Sequence, residues 1–221
     1  MPTKVQNTVA YIDPITSSLS ATYASHPATG NMLVAFAVAV GNSGATPTAT
    51  ISDNIGNTYT KVGSVQLPTT SGESTYSITM WYVASATTGN TIVTAAASTG
   101  ANGIEFLGLY EFSGVSSATL DKYAVGTGTN AGNALTTKVM ETNSGELIVV
   151  AQLVDGGTSG ETAEPTSNPS MAIGNNQLDS GLSNLYTDAW GVDSGTHNNQ
   201  YGFHNNASSG TYWGVIAGIF S

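Results

Sequence analysis

Residues 75–83 read Thr75-Tyr76-Ser77-Ile78-Thr79-Met80-Trp81-Tyr82-Val83, and their alternation decides the fold. Successive side chains of a strand point to opposite faces. Tyr76, Ile78, Met80 and Tyr82 therefore share one side, and Thr75, Ser77, Thr79 and Trp81 share the other. The first set is apolar and belongs to a core. The second is polar apart from Trp81. No stretch of the chain has the i, i+3, i+4 apolar spacing of a long helix.

Similar period-two segments, punctuated by Gly, Asn, Ser and Pro, occur at 5–12, 15–23, 32–40, 48–52, 58–66, 91–97, 104–112, 120–125, 146–154, 171–173, 184–192, 200–204 and 211–220. Short strands at such spacing predict an all-β chain, a sandwich or barrel. Three stretches also occur twice in the same order. Gly30-Asn31-Met32-Leu33-Val34-Ala35-Phe36 is matched by Gly145-Glu146-Leu147-Ile148-Val149-Val150-Ala151. The strand with Trp81 and Val83 matches the one with Trp190 and Val192, and 104–113 matches 212–221, both ending Phe-Ser. The expectation is one jelly-roll-like β-sandwich domain over 1–221, two antiparallel sheets with a pseudo-two-fold internal repeat. Residues 1–28 form an N-terminal arm and first strands, 29–115 the first strand set and 143–221 the second. Residues 113–143 are a crossover with one short strand near Leu120, and 155–168 is a long irregular stretch.

Composition narrows the function classes. Of 221 residues only 8% are charged, with 4 Lys, no Arg and 14 Asp plus Glu, giving a formal charge of −10. Nucleic-acid binding requires clustered cations, but Lys4, Lys61, Lys122 and Lys138 are scattered. The longest apolar run, 32–40, is far below the roughly 20 residues that span a bilayer as a helix, and no basic-then-apolar leader follows Met1. Neither nucleic acid, membrane insertion nor an export leader is expected. Without Cys, disulfides and thiolate chemistry are excluded.

The motifs of catalysis fail one by one. There is no Gly-x-Ser-x-Gly elbow. Gly126-Thr-Gly128-Thr-Asn-Ala-Gly132 places its third glycine one residue too late for a phosphate loop and precedes no helix. Glu105 and Glu111, taken as sharing one strand face, would lie roughly 20 Å apart at 3.3 Å per residue, too far for a glycosidase pair. The expectation is no enzyme and no cofactor. Asp53, Asn54 and Asn57 offer oxygen donors that calcium would accept, and they are equally the residues of a bare turn. His197, His204 and Asp193 lack the compact spacing of a transition-metal site.

The aromatic residues carry the binding reading. Tyr186, Asp188, Trp190 and Val192 alternate against Leu185, Thr187, Ala189 and Gly191, and Tyr201 lies on a neighbouring strand. Flat rings beside Asp and Asn suit a sugar, with the ring on the C–H face and the polar groups on hydroxyls. A glycan platform of Trp81, Trp190, Tyr186, Tyr201 and Asp188 is one reading. Packing under loops or against a partner chain is the other.

The motifs Gly30-Asn-Met-Leu-Val-Ala-Phe36, Ser52-Asp-Asn-Ile-Gly-Asn-Thr-Tyr59, Trp81-Tyr-Val83, Tyr110-Glu-Phe-Ser-Gly-Val115 and Leu120-Asp121 resemble those of a loose group of bacterial and phage-encoded jelly-roll or lectin-like β-sandwich surface proteins. The resemblance covers most of the first half and fades after Ser144. It implies fold more than function and carries over no catalytic residue. The leading expectation is a non-enzymatic structural protein at a virion or extracellular surface, such as a phage capsid decoration (cement) or tail accessory protein. Its partners would be other particle subunits, as a homo-oligomer. The alternative is a carbohydrate-binding module or lectin-like adhesion domain.

Overall fold

The computed structural model describes residues 1–68, 71–89, 91–115, 118–129, 132–156, 163–165, 171–179, 183–205 and 211–221, and all its regular elements are strands. The first half holds β1 (Thr3–Thr16), β2 (Ser18–Thr22), β3 (Met32–Gly41), β4 (Ala49–Asp53), β5 (Thr60–Gln66), β6 (Thr75–Val83), β7 (Ile92–Ala97) and β8 (Ala101–Ser113). The second holds β9 (Leu120–Thr129), β10 (Gly132–Leu135), β11 (Met140–Thr142), β12 (Leu147–Asp155), β13 (Ala163–Pro165), β14 (Ala172–Asp179), β15 (Asn184–Val192), β16 (His197–Asn199), β17 (Gly202–Asn205) and β18 (Tyr212–Phe220).

The strands form two five-stranded sheets, β1-β8-β3-β6-β5 and β9-β18-β12-β15-β14, two three-stranded sheets, β2-β7-β4 and β10-β17-β13, and the pair β11-β16. Read in this order, the halves correspond strand for strand, and β11-β16 is an addition to the second. The all-β sandwich follows the alternation in the sequence. The expected pair of sheets is instead a layered stack. The two large sheets face each other, and each is backed on its outer side by small sheets.

Three apolar layers fill the spaces. Phe36, Met80, Tyr110 and Phe112 meet Leu147, Val149, Leu153 and Phe220 between the large sheets. Leu33, Ala35, Trp81, Ile104 and Leu109 pack under β2-β7-β4 through Leu19, Val93 and Ala95. Ile148, Val150, Val215 and Ala217 pack against Met140, Tyr201 and Phe203. A strand covered on both faces loses alternation and reads as a continuous apolar run. That is why every residue of β3 is buried and why 32–40 is the longest such run.

The repeat extends beyond the expected strand sets. The first strands expected within residues 1–28 are present, and β1 is the edge strand of the first large sheet, paired to β8 from Thr3 to Thr16. Its counterpart β9 pairs with β18 and lies in the segment expected as a crossover, which also carries β10 and β11. The long stretch 155–168 lies largely outside the described residues, apart from Asp155, Gly156 and β13.

Register corrects one match. Met32 faces Phe112 as Leu147 faces Phe220, so the matches at 30–36 and 104–113 are in register. Trp81, however, lies opposite Ala35, whereas Trp190 lies opposite Val149, the counterpart of Val34. Tyr82 faces Val34 and is therefore the true counterpart of Trp190. A one-residue slip moves a side chain to the other face of a sheet, which sends Trp81 and Trp190 into different layers. The pseudo-two-fold relation is visible in the rings. Tyr82 of the first half meets Phe220 of the second at 5.3 Å and 59°, and Trp190 of the second meets Phe112 of the first at 5.8 Å and 59°.

Leu33 and Leu147 are both fully buried, in different layers. Leu33→Ala and Leu147→Ala are each expected to cost about 2–5 kcal/mol, measured by denaturant unfolding. A loss below about 0.5 kcal/mol at either site would contradict the layer assigned to it.

Candidate functional site

The five residues expected as a sugar platform do not share a surface. Trp81 is 4% exposed and lies under the small sheet of the first half, because the polar-looking face of β6 is itself covered. Thr75 and Ser77 on that face donate to the carbonyls of Asn42 and Pro47. Tyr201 is buried in the outer layer of the second half, where its hydroxyl donates to Thr142 at 3.2 Å. Tyr186, Asp188 and half-buried Trp190 do share a face, but it points between the two large sheets. The platform expectation is corrected by burial: both faces of each large sheet are covered.

What the structure builds there is a closed polar cluster. Asp188 is fully buried and accepts hydrogen bonds from the hydroxyls of Tyr110 and Tyr186, the latter at 2.7 Å, and from the backbone N–H of Asn175 at 2.7 Å. The Asn175 amide donates to it as well, and Asn7 of β1 bonds the Asn175 Oδ1 and the Gly174 carbonyl, both at 2.9 Å. Tyr110 and Asn7 come from the first half and the others from the second, so the cluster ties the halves together. Two glycines make room for it. A Cβ at Gly108 would collide with the Tyr186 hydroxyl, and one at Gly174 with the Tyr110 hydroxyl.

Burial pushes the Asp188 carboxyl up to about 6, against the pull of its donors. Burial, then the charge of Asp188, raises the phenols of Tyr110 and Tyr186 well above their ordinary range. The sequence marks Asp188 by placing an acid between Tyr186 and Trp190 on an otherwise apolar face. Nothing in it joins Tyr110 or Asn7 to that acid, because those contacts cross from one half to the other, and Asn175 meets it only through the register of β14 on β15.

Glu105 and Glu111 are also turned inward. Glu105 and Glu111 do not share a strand face as expected. The register of β8 shifts between Ile104 and Phe106, which breaks the alternation. Glu105 reaches Asn184 of the opposite large sheet at 2.9 and 3.0 Å. Glu111 accepts from Gln6, Asn31 and the Ala28 N–H within the first half. Burial raises the Glu105 carboxyl to about 8. At the same end of the sandwich, a hollow of about 430 Å³ includes Glu73, Tyr76, Asp155 and Tyr212, and burial and the Glu73 charge raise Asp155 to about 6.

Asp53 closes a turn. Its Oδ1 accepts the N–H groups of Ile55, Gly56 and Asn57, and its Oδ2 the Asn57 amide and the Tyr59 hydroxyl. Asn57 Oδ1 accepts from Thr87 N and Asn54 Oδ1 from Ile92 N. The oxygens considered for calcium are spent on the fold, so the calcium expectation gives way to the turn. Asp193 likewise accepts from Thr142, Gly195 N and the His197 ring, the last at 2.6 Å, while His204 bonds Asn133 elsewhere. Among the described residues, no three His, Asp or Glu side chains are arranged to hold a metal ion.

Compared with known proteins, the chain matches no family model, no curated protein and no solved structure.

Two tests follow from this chemistry. A carboxyl raised by folding contributes stability that is full below its unfolded value and is lost as pH climbs through its folded one. Glu105 rises from 4.5 to about 8, and Asp155 and Asp188 from 3.8 to about 6. The melting temperature should therefore fall between pH 5 and 8, and Glu105→Gln should flatten the upper part of that fall. Asp193, held low, contributes in the opposite sense, losing its share as pH drops below the carboxylate range. Separately, Tyr110→Phe removes one donor from a buried acid and should cost about 1–3 kcal/mol in chemical denaturation.

Proposed function

We propose that the chain is a non-catalytic structural subunit that presents surface on a virion or other extracellular particle. The observation that carries this reading is the disposition of its chemistry-bearing groups. Asp188, Glu105, Glu111 and Asp193 are buried and hydrogen-bonded to the chain's own amides and hydroxyls. Groups used in this way hold layers together and leave the outside to Thr, Ser, Asn and Gly. The acids that stay outside, among them Asp13, Glu73, Asp121 and Glu141, keep that surface hydrated.

Each half is read more finely as a jelly roll. In the first, β1-β8-β3-β6 lies beside β2-β7-β4, and in the second, β9-β18-β12-β15 lies beside β10-β17-β13. First and last strands pair in both, the nesting expected of two Greek keys. Such a unit suits a shell or spike, where it contributes rigid area and stable edges. Its partners in this reading are neighbouring structural subunits.

The test is compositional. Purified particles released by cells that encode the chain should contain it at a fixed copy number relative to the main shell protein, by quantitative mass spectrometry. Recovery of the chain only as free protein in the culture fluid would reject the structural role.

A further inference from the structure

We propose that the hollow beside Tyr82 is a binding site for a neutral saccharide. It has a volume of about 370 Å³ and is lined by Asn57, Thr58, Thr60, Tyr82, Ser85 and Thr87 together with small residues. That is near the lower end of the roughly 300–1,000 Å³ of small-molecule sites. No charged side chain lines it, so it offers nothing to a phosphate, a carboxylate or an amine. A ligand rich in hydroxyls and without charge matches the lining.

Three observations support this assignment. Tyr82 is only half-buried, and its ring packs against Phe220 of the other half at 5.3 Å, tilted by 59°. A fixed aromatic ring at the edge of a polar hollow supplies the flat apolar surface that the C–H face of a pyranose covers. Thr58, Thr60, Ser85 and Thr87 are exposed and bring hydroxyls around that ring. The rim is also built in advance. Asn57 is locked on both sides, its Nδ2 donating to Asp53 at 2.6 Å and its Oδ1 accepting from Thr87 N at 2.8 Å. A rim ordered before binding removes part of the entropic cost of capture.

The pseudo-two-fold relation provides an internal comparison. The corresponding position in the second half has Trp190 for Tyr82 and Ala172 for Thr60, by their matching places in the sheets. That groove, of about 290 Å³, is lined by Met1, Pro2, Thr3, Ala172, Trp190 and Val192, with Gly191. The strand positions correspond, yet the Tyr82 hollow is ringed by Thr58, Thr60, Ser85 and Thr87, whereas the Trp190 groove is mostly apolar, with Thr3 its one aliphatic hydroxyl. Saccharide binding is therefore assigned to the Tyr82 side alone. The assignment is independent of the particle role, which stands or falls on copy number.

The experiment uses the full chain on an array of neutral glucose, mannose, galactose and N-acetylglucosamine oligomers beside sialylated and uronic-acid oligomers. At least one neutral class should be retained and the acidic classes should not. Thr58→Trp, an exposed change that fills the hollow without touching the core, should reduce retention at least tenfold, as should Tyr82→Ala. Ala172→Trp, the corresponding intrusion in the other groove, should leave retention unchanged. Retention of no neutral sugar, retention of acidic sugars alone, or retention that survives Thr58→Trp would each overturn the proposal.

Discussion

The structure depends on the contact between the two large sheets. Neither inner face could remain in water: Phe36, Phe106, Phe112, Leu147, Leu153 and Phe220 are fully buried there. Apolar burial is worth roughly 25 cal/mol per Å², and little else is available to do the same. Among the described residues, the one Lys–carboxylate pair is the exposed Lys122–Asp121 contact, and His197 on buried Asp193 is an ion pair only when its imidazole is protonated. Exposed pairs contribute about 0–1 kcal/mol. The halves are therefore joined through a shared core.

The scarcity of cations shapes the electrostatics as well. A chain with 4 Lys and no Arg has few positive partners for the acids it buries. Asparagine amides, phenols and backbone N–H groups take that place around Asp188, Glu105 and Glu111. Neutral donors offset only part of the cost of removing a carboxylate from water, so Glu105 and Asp188 are held above the usual carboxylate range.

Alternation and turn residues made the strands legible, and a repeated Phe-Ser ending gave the duplication. What escaped had definite causes. The strands β10, β11, β13 and β16 have four residues or fewer, too short to show a period. The outer layers were invisible because a Thr-rich face such as that of β6 looks solvated until a second sheet is known to cover it. Trp81 lies on the face of β6 that alternation assigns it, and that face is covered, which is why it is no surface residue. Its pairing with Trp190 failed because residue type is a poor guide to register, while Tyr82 and Trp190 occupy the same place under different letters. The Asp188 cluster joins residues up to 181 positions apart in the chain, from Asn7 to Asp188, and no local pattern encodes such a meeting.

The two seams between the halves are not alike. Counting by register, Asp188 corresponds to Met80, Tyr110 to Gly218 and Asn7 to Tyr123. One seam is a polar knot; the other sets the Met80 thioether against Gly218 and the Tyr123 ring against Gly63. A first half docked on another first half by the same axis would press Tyr110 against a thioether twice over. Two second halves would each leave a carboxylate facing a bare glycine. Only unlike halves fit, so the two seams tell a first half from a second and disfavour the docking of like halves on each other.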